Sequence, residues 1–171
     1  MDRAQGYSIW IVPDSLPLTL STRYIHKYAM KFHSPVFTPH LTLIGNINQN
    51  EERVISLTYR LAKQIKACKI RFYKVGHDDS FFTSLFLQAR LTPRLKNMYN
   101  LSKQIFKLKN TLDYVPHLSL MYGKISLKSK IDIMSKLKVK PQDFDFYATE
   151  LQVHKTNGRV KNWKKIASFT F

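Results

Sequence analysis

Apolar positions along the chain change period several times, and each change marks an element. Tyr7 to Val12 is a run rich in aromatic and β-branched residues, closed by Pro13-Asp14, which predicts a buried strand. Leu16, Leu20, Tyr24, Tyr28 and Phe32 then recur every fourth residue, the pattern of a helix with one apolar face, and His33-Ser34-Pro35 ends it. A short strand follows Pro39. Val54, Leu57, Leu61 and Ile65 predict a second helix over Glu51–Lys66, and two strands follow, Ile70–Val75 and Phe81–Leu91, separated by the turn Gly76–Ser80. Thr92 can cap a third helix carrying Pro93 at its first position, with Leu95, Met98, Leu101, Ile105 and Leu108 inward. A short strand follows Pro116. Ser126–Lys138 predicts a lysine-rich helix with Ile131, Met134 and Leu137 inward, and strands near Phe144–His154 and Trp163–Phe171 close the chain.

The order helix, short Pro-initiated strand, helix, long strands thus occurs twice. It predicts an α+β protein of two pseudo-symmetric lobes, each an antiparallel sheet with helices packed outside, enclosing a central cleft. With 171 residues and no low-complexity linker, residues 1–171 are expected to form one domain of two intertwined lobes.

The repetition becomes explicit in two pentapeptides. Pro39-His40-Leu41-Thr42-Leu43 and Pro116-His117-Leu118-Ser119-Leu120 differ only by exchange of one hydroxyl residue for another. Strand side chains alternate faces, so each Leu pair can anchor in a core while each His/hydroxyl pair faces the cleft. Proline ahead of each His removes a backbone donor and fixes the strand start. A bare His-x-Thr also occurs at His154-Lys155-Thr156, but without the flanking residues it carries no comparable signal.

Two imidazoles facing each other suit phosphoester chemistry, because a pKa near ~6.5 lets one take a proton while the other gives one at neutral pH. The hydroxyls of Thr42 and Ser119 can donate to non-bridging phosphoryl oxygens, where charge accumulates as the nucleophile attacks. A Gly-x-Ser-x-Gly nucleophile elbow is absent, and with Cys68 the single thiol there can be no Cys-rich zinc cluster. The acidic residues are scattered apart from Glu51-Glu52 and Asp78-Asp79, so no metal and no cofactor is expected; His77-Asp78 reads as surface turn chemistry, as His26 and His33 read as surface residues. One cysteine and an apolar first run too short for a signal or spanning segment predict a soluble, intracellular (cytoplasmic) protein without membrane partners, and a monomer.

On the paired motifs the chain resembles the two-histidine (2H) phosphoesterase superfamily. Within it the chain is most similar to the cyclic nucleotide phosphodiesterases, through Tyr7-Ser8-Ile9-Trp10, Phe81-Phe82 with Leu85-Phe86-Leu87, Pro116 to Tyr122, and the Lys155-Thr156 turn. The resemblance implies metal-independent hydrolysis of 2′,3′-cyclic nucleotides to 2′-nucleotides, and of ADP-ribose 1″,2″-cyclic phosphate to the 1″-phosphate. It puts His40, Thr42, His117 and Ser119 on catalytic positions, and Trp10, Phe82 and Tyr122 on aromatic positions near the substrate, although such aromatics also serve as ordinary core.

Charge widens the choice of substrate. With 28 Lys and Arg against 11 Asp and Glu, the net charge is +17, a field that concentrates phosphorylated partners. Lys124, Lys128, Lys130, Lys136, Lys138 and Lys140 gather after the second motif, either as an RNA-binding surface or as a solvated helix face. RNA-derived phosphodiesters therefore stand beside cyclic nucleotides as partners. The alternatives are an RNA-end-processing 2H enzyme, a 2′,5′-phosphodiesterase or RNA ligase-like, and a catalytically silent RNA-binding module.

Overall fold

The computed structural model describes residues 4–109 and 113–171. Among the described residues, nine strands and four α-helices follow the expected α+β order: β1 (Tyr7–Ile11), α1 (Ser15–Phe32), β2 (Leu41–Ile47), α2 (Glu51–Ala62), β3 (Cys68–Ile70), β4 (Phe72–Gly76), β5 (Leu85–Ala89), α3 (Pro93–Phe106), β6 (His117–Met121), α4 (Leu127–Ser135), β7 (Phe146–Ala148), β8 (Glu150–Lys155) and β9 (Lys164–Thr170).

Local chemistry sets the helix ends. The Asn50, Thr92 and Ser126 side chains accept from the amides of Arg53, Leu95 and Ser129, capping α2, α3 and α4. Pro93 sits in the first turn of α3, where no amide is needed. His33 closes α1 in the left-handed region, at φ 51°.

Seven strands form one antiparallel sheet in the order β4-β5-β6-β2-β1-β8-β9, while β3 and β7 pair separately. The two pentapeptide strands meet at its centre, where Leu41 lies opposite Leu118. About that junction β1 and β5 correspond, as do β8 and β4, so the lobes join in a single sheet. They do not follow the two halves of the chain: β4 and β5 come from the first half but flank β6, while β8 and β9 return from the second half to β1.

Leu41, Leu43, Leu118 and Leu120 are buried in the main core, against which α1 packs at β6, α2 at β8 and α3 at β2. Alternation then turns His40, Thr42, His117 and Ser119 to the opposite face.

Several boundaries differ from expectation. Phe81–Thr83 is a 3-10 turn, so the strand begins at Leu85. Arg71 divides the expected strand Ile70–Val75 between the two sheets, as Thr149 separates β7 from β8. Helix α4 is rotated: Lys130 and Ile133 point inward while Ile131 is 54% exposed. Among the described residues no helix is long and apolar enough to cross a membrane.

Candidate active site

His40 and His117 are held by the same local device. Each Nδ1 lies against the backbone carbonyl two residues earlier, His40 at 2.6 Å from the Thr38 oxygen and His117 at 2.8 Å from that of Val115. A carbonyl can only accept, so each Nδ1 carries the hydrogen and each Nε2 is left for chemistry. Continuing the antiparallel register from Leu41 and Leu118 sets Thr42 opposite His117 and His40 opposite Ser119.

All seven residues singled out in the sequence, Trp10, His40, Thr42, Phe82, His117, Ser119 and Tyr122, border one cavity of about 160 Å³. Ser8, Gly45, Thr156 and Trp163 border it as well. The Ser119 hydroxyl donates to the Phe82 carbonyl at 2.8 Å, and those of Ser8 and Thr156 lie 3.2 Å apart. Gly45 keeps the floor open: a Cβ there would stand 3.1 Å from the Ser8 hydroxyl and 3.6 Å from the Thr42 methyl.

The aromatic residues act largely on one another. Trp10 is sandwiched between imidazoles, with His40 on one face and His154 on the other, each centroid 3.6 Å away. Both faces of its indole are thus occupied, and what it turns to the cavity is an edge. Tyr122 stacks on Phe37 at 3.6 Å and meets Phe82 edge-on at 5.2 Å. Trp163 closes the group against Phe82 and Tyr122. Its indole N–H is buried with no partner among the described residues.

The two histidines differ electrostatically. His40, 7% exposed, is pushed down to about 3, chiefly by burial and further by His154 and His117, against the opposing pull of the Thr38 carbonyl. His117 is half-buried; burial lowers it, while the Val115 carbonyl and the Asp78 carboxylate raise it. His154 falls to about 4 through burial and the charge of Lys165, and its Nε2 lies 2.9 Å from the Gln152 side-chain oxygen.

Asp78 is exposed in the loop after β4, as the surface-turn reading expected, and from there its carboxylate acts on His117. Its loop is tethered from below: the buried Lys130 ammonium donates to the Asp78 carbonyl at 2.7 Å and to the Asp79 carboxylate at 2.8 Å. Lys130 accordingly leaves the exposed basic run to which the sequence assigned it. His154 and Thr156 belong to the third His-x-Thr, and Ser8 and Thr156 lie in segments that carry the family resemblance, the signals that could have placed them here. Trp163 had none. Among the described residues no group of three or more His, Cys, Asp and Glu side chains could hold a metal ion.

Comparison with known proteins places the chain in a family. The chain is 24% identical to the cyclic phosphodiesterase of Arabidopsis thaliana over 167 residues, covering 94% of this chain and 92% of that protein. It is 26% identical to an uncharacterized protein of Schizosaccharomyces pombe over 132 residues, covering 69% and 62%. Among solved structures its fold resembles Escherichia coli LigT complexed with phosphate, at TM-score 0.59 and 15% identity over 99% of this chain and 98% of that one. A Thermus thermophilus protein aligns at TM-score 0.64 and 12% identity over 97% of each chain. The model of the cyclic phosphodiesterase-like proteins matches residues 5–171, and with its duplicated His-x-Thr/Ser strands this chain is a phosphodiesterase of that family, within the 2H phosphoesterases.

Proposed function

We propose that this protein opens the five-membered ring of 2′,3′-cyclic nucleotides, of ADP-ribose 1″,2″-cyclic phosphate, or of both, leaving a monophosphate, with His40 as base and His117 as acid. One observation carries the reading: two imidazoles are fixed in the same tautomer by matched carbonyl contacts, so both Nε2 atoms are available at a cavity that also holds two hydroxyls. Water attacks phosphorus and gives its proton to His40 Nε2; His117 Nε2–H passes its proton to the departing ribose oxygen; the P–O ring bond breaks.

The division of roles follows from surroundings. A deeply buried His40 is neutral before reaction, as a base must be. The indole face it stacks on favours the imidazolium that forms as the proton arrives, by ~0.5–2 kcal/mol. His117 has a carboxylate nearby, which favours the protonated form an acid requires. Thr42 and Ser119 donate to the non-bridging oxygens; for Ser119 this means turning its hydroxyl from the Phe82 carbonyl.

Purified protein in excess EDTA, given adenosine 2′,3′-cyclic phosphate or ADP-ribose 1″,2″-cyclic phosphate, should release a monophosphate. A single turnover in ¹⁸O-labelled water should place the label directly in the product. The label would reach the product by a covalent route too, so the result that separates the two is an adduct: a nucleotide trapped through its phosphate on Thr42 or Ser119 would replace acid–base hydrolysis by covalent catalysis.

A further inference from the structure

One buried imidazole takes no part in the proton transfers proposed above. His154, 4% exposed, stacks on the indole face of Trp10 that His40 leaves free, and it does not border the small cavity. The indole is tilted 6° from the plane of His40 and 20° from that of His154. Three near-parallel rings thus run from the residue ahead of β2, through β1, to β8.

Strand register builds this stack. Trp10 lies opposite Thr42 on one side and Gln152 on the other. Residues two apart share a face, so Trp10 has a diagonal neighbour on each adjoining strand, His40 on one and His154 on the other. Along β8 the same face carries Glu150, Gln152 and His154, and hydrogen bonds join them in a row. The Gln152 amide donates to the Glu150 carboxylate at 2.7 Å, which leaves the Gln152 oxygen to accept from His154 Nε2 at 2.9 Å. That row sets both the tautomer and the plane of the His154 ring.

His40 itself has one hydrogen bond, from Nδ1 to the Thr38 carbonyl. A single such bond leaves a ring free to turn about it, and the parallel indole removes that freedom. What backs the indole therefore decides how firmly His40 Nε2 is aimed. Beyond the stack lies a cavity of about 580 Å³, bordered by Trp10, His154, His26, Lys161 and Lys165. Without the His154 ring the outer indole face would meet this open space.

We infer that His154 is a positioning residue for His40: acting through Trp10, it fixes the plane of the base and so the direction of its Nε2. The inference rests on the reading of His40 as base. The charged and titratable groups around His154 are Lys165, opposite it on β9, Lys161 and His26 across the cavity, Glu150 at the end of its own row, and His40 beyond the indole. Burial and the Lys165 charge keep His154 neutral, so it backs the indole without competing for the π-electrons that the imidazolium forming on His40 uses.

The test measures kcat, KM and their pH profiles with adenosine 2′,3′-cyclic phosphate for wild type, His154→Ala and His154→Phe. His154→Ala should lower kcat by about tenfold or more while KM changes by less than about threefold. Its acidic limb should move to higher pH, because water behind a loosened indole relieves the burial that lowers His40. His154→Phe keeps a ring on the indole and should restore kcat to within about threefold of wild type, with a smaller shift of the limb. In a Trp10→Leu background, His154→Ala should cost less than about twofold, since its route to His40 is gone. A residue that only stabilises the fold would lower the urea midpoint and leave the limb in place. Wild-type kcat and limb in His154→Ala, equal losses in the Ala and Phe variants, or the same cost in both backgrounds would overturn the positioning role. NMR titration of the His40 imidazole without substrate gives a readout independent of turnover: its pKa should rise more in His154→Ala than in His154→Phe, and an unmoved pKa would overturn the role. An acidic limb that survives His40→Ala would instead overturn the base assignment on which the inference rests.

Discussion

His40 and His117 occupy equivalent places in sequence, and what separates them comes from residues far along the chain. Trp10 covers one face of His40, with His154 stacked beyond it on the far face of the indole, while Asp78 approaches His117 from the loop after β4. The pentapeptide was legible because strand alternation alone turns His and hydroxyl to one face. Asp78 was not, since a turn residue reveals nothing of what its carboxylate faces. Its effect has a definite sign. If His117 must be protonated, kcat/KM falls as pH rises through its pKa, which burial sets below the ordinary imidazole value. Burial lowers it, and the Val115 carbonyl and the Asp78 carboxylate act against that lowering. Asp78→Asn removes a charge that raises this pKa, so the alkaline limb should move to lower pH while the acidic limb stays; an unmoved alkaline limb would remove Asp78 from the acid's surroundings.

At the scale of elements, α4 shows why periodicity misled. Its apolar positions suggested an inward Ile131, yet Lys130 and Ile133 face the protein. A lysine can be buried along its aliphatic stem when its ammonium finds oxygen partners, and the loop at Asp78 and Asp79 supplies them across 51 and 52 positions of sequence. No local pattern records such a partner. The tether predicts a split result for Lys130→Met. Volume is roughly kept and Asp79 is fully exposed, so the loss in stability should not exceed ~1 kcal/mol by urea denaturation. The alkaline limb of the pH profile should nonetheless shift in the direction of Asp78→Asn, because the loop that carries Asp78 has lost its anchor. A profile identical to wild type would make Lys130 a packing residue only. By contrast, the caps at Asn50, Thr92 and Ser126 depend on residues three apart, which is why helix starts were readable.

Across the whole molecule, duplication was visible in chain order but lobe membership was not. Which strands exchange is decided by sheet pairing between distant segments, and β4 and β5 cross to β6 while β8 returns to β1. The same sheet buries His40 and His154 on either side of Trp10, with consequences for stability. Their pKa values in the folded chain are lowered to about 3 and about 4, below the ordinary imidazole value near ~6.5. The unfolded chain then binds more protons between those values, so stability is full above pH ~6.5 and declines as pH falls toward 4. Urea denaturation at pH 7 and pH 4.5 should show that decline, and His154→Phe, which keeps a ring on Trp10 but cannot protonate, should make it shallower. An unchanged slope would mean that carboxylates set the acid sensitivity.

The paired-imidazole account rests most directly on the pH dependence of kcat/KM for a cyclic phosphate, measured in wild type, His40→Ala, His117→Ala and the double variant. The account predicts a bell whose acidic limb disappears with His40 and whose alkaline limb disappears with His117. Each single loss should be ~10²–10⁴-fold, and the double loss smaller than their product, because both groups act in one transition state. A folded single variant that turns over at nearly the wild-type rate would contradict it.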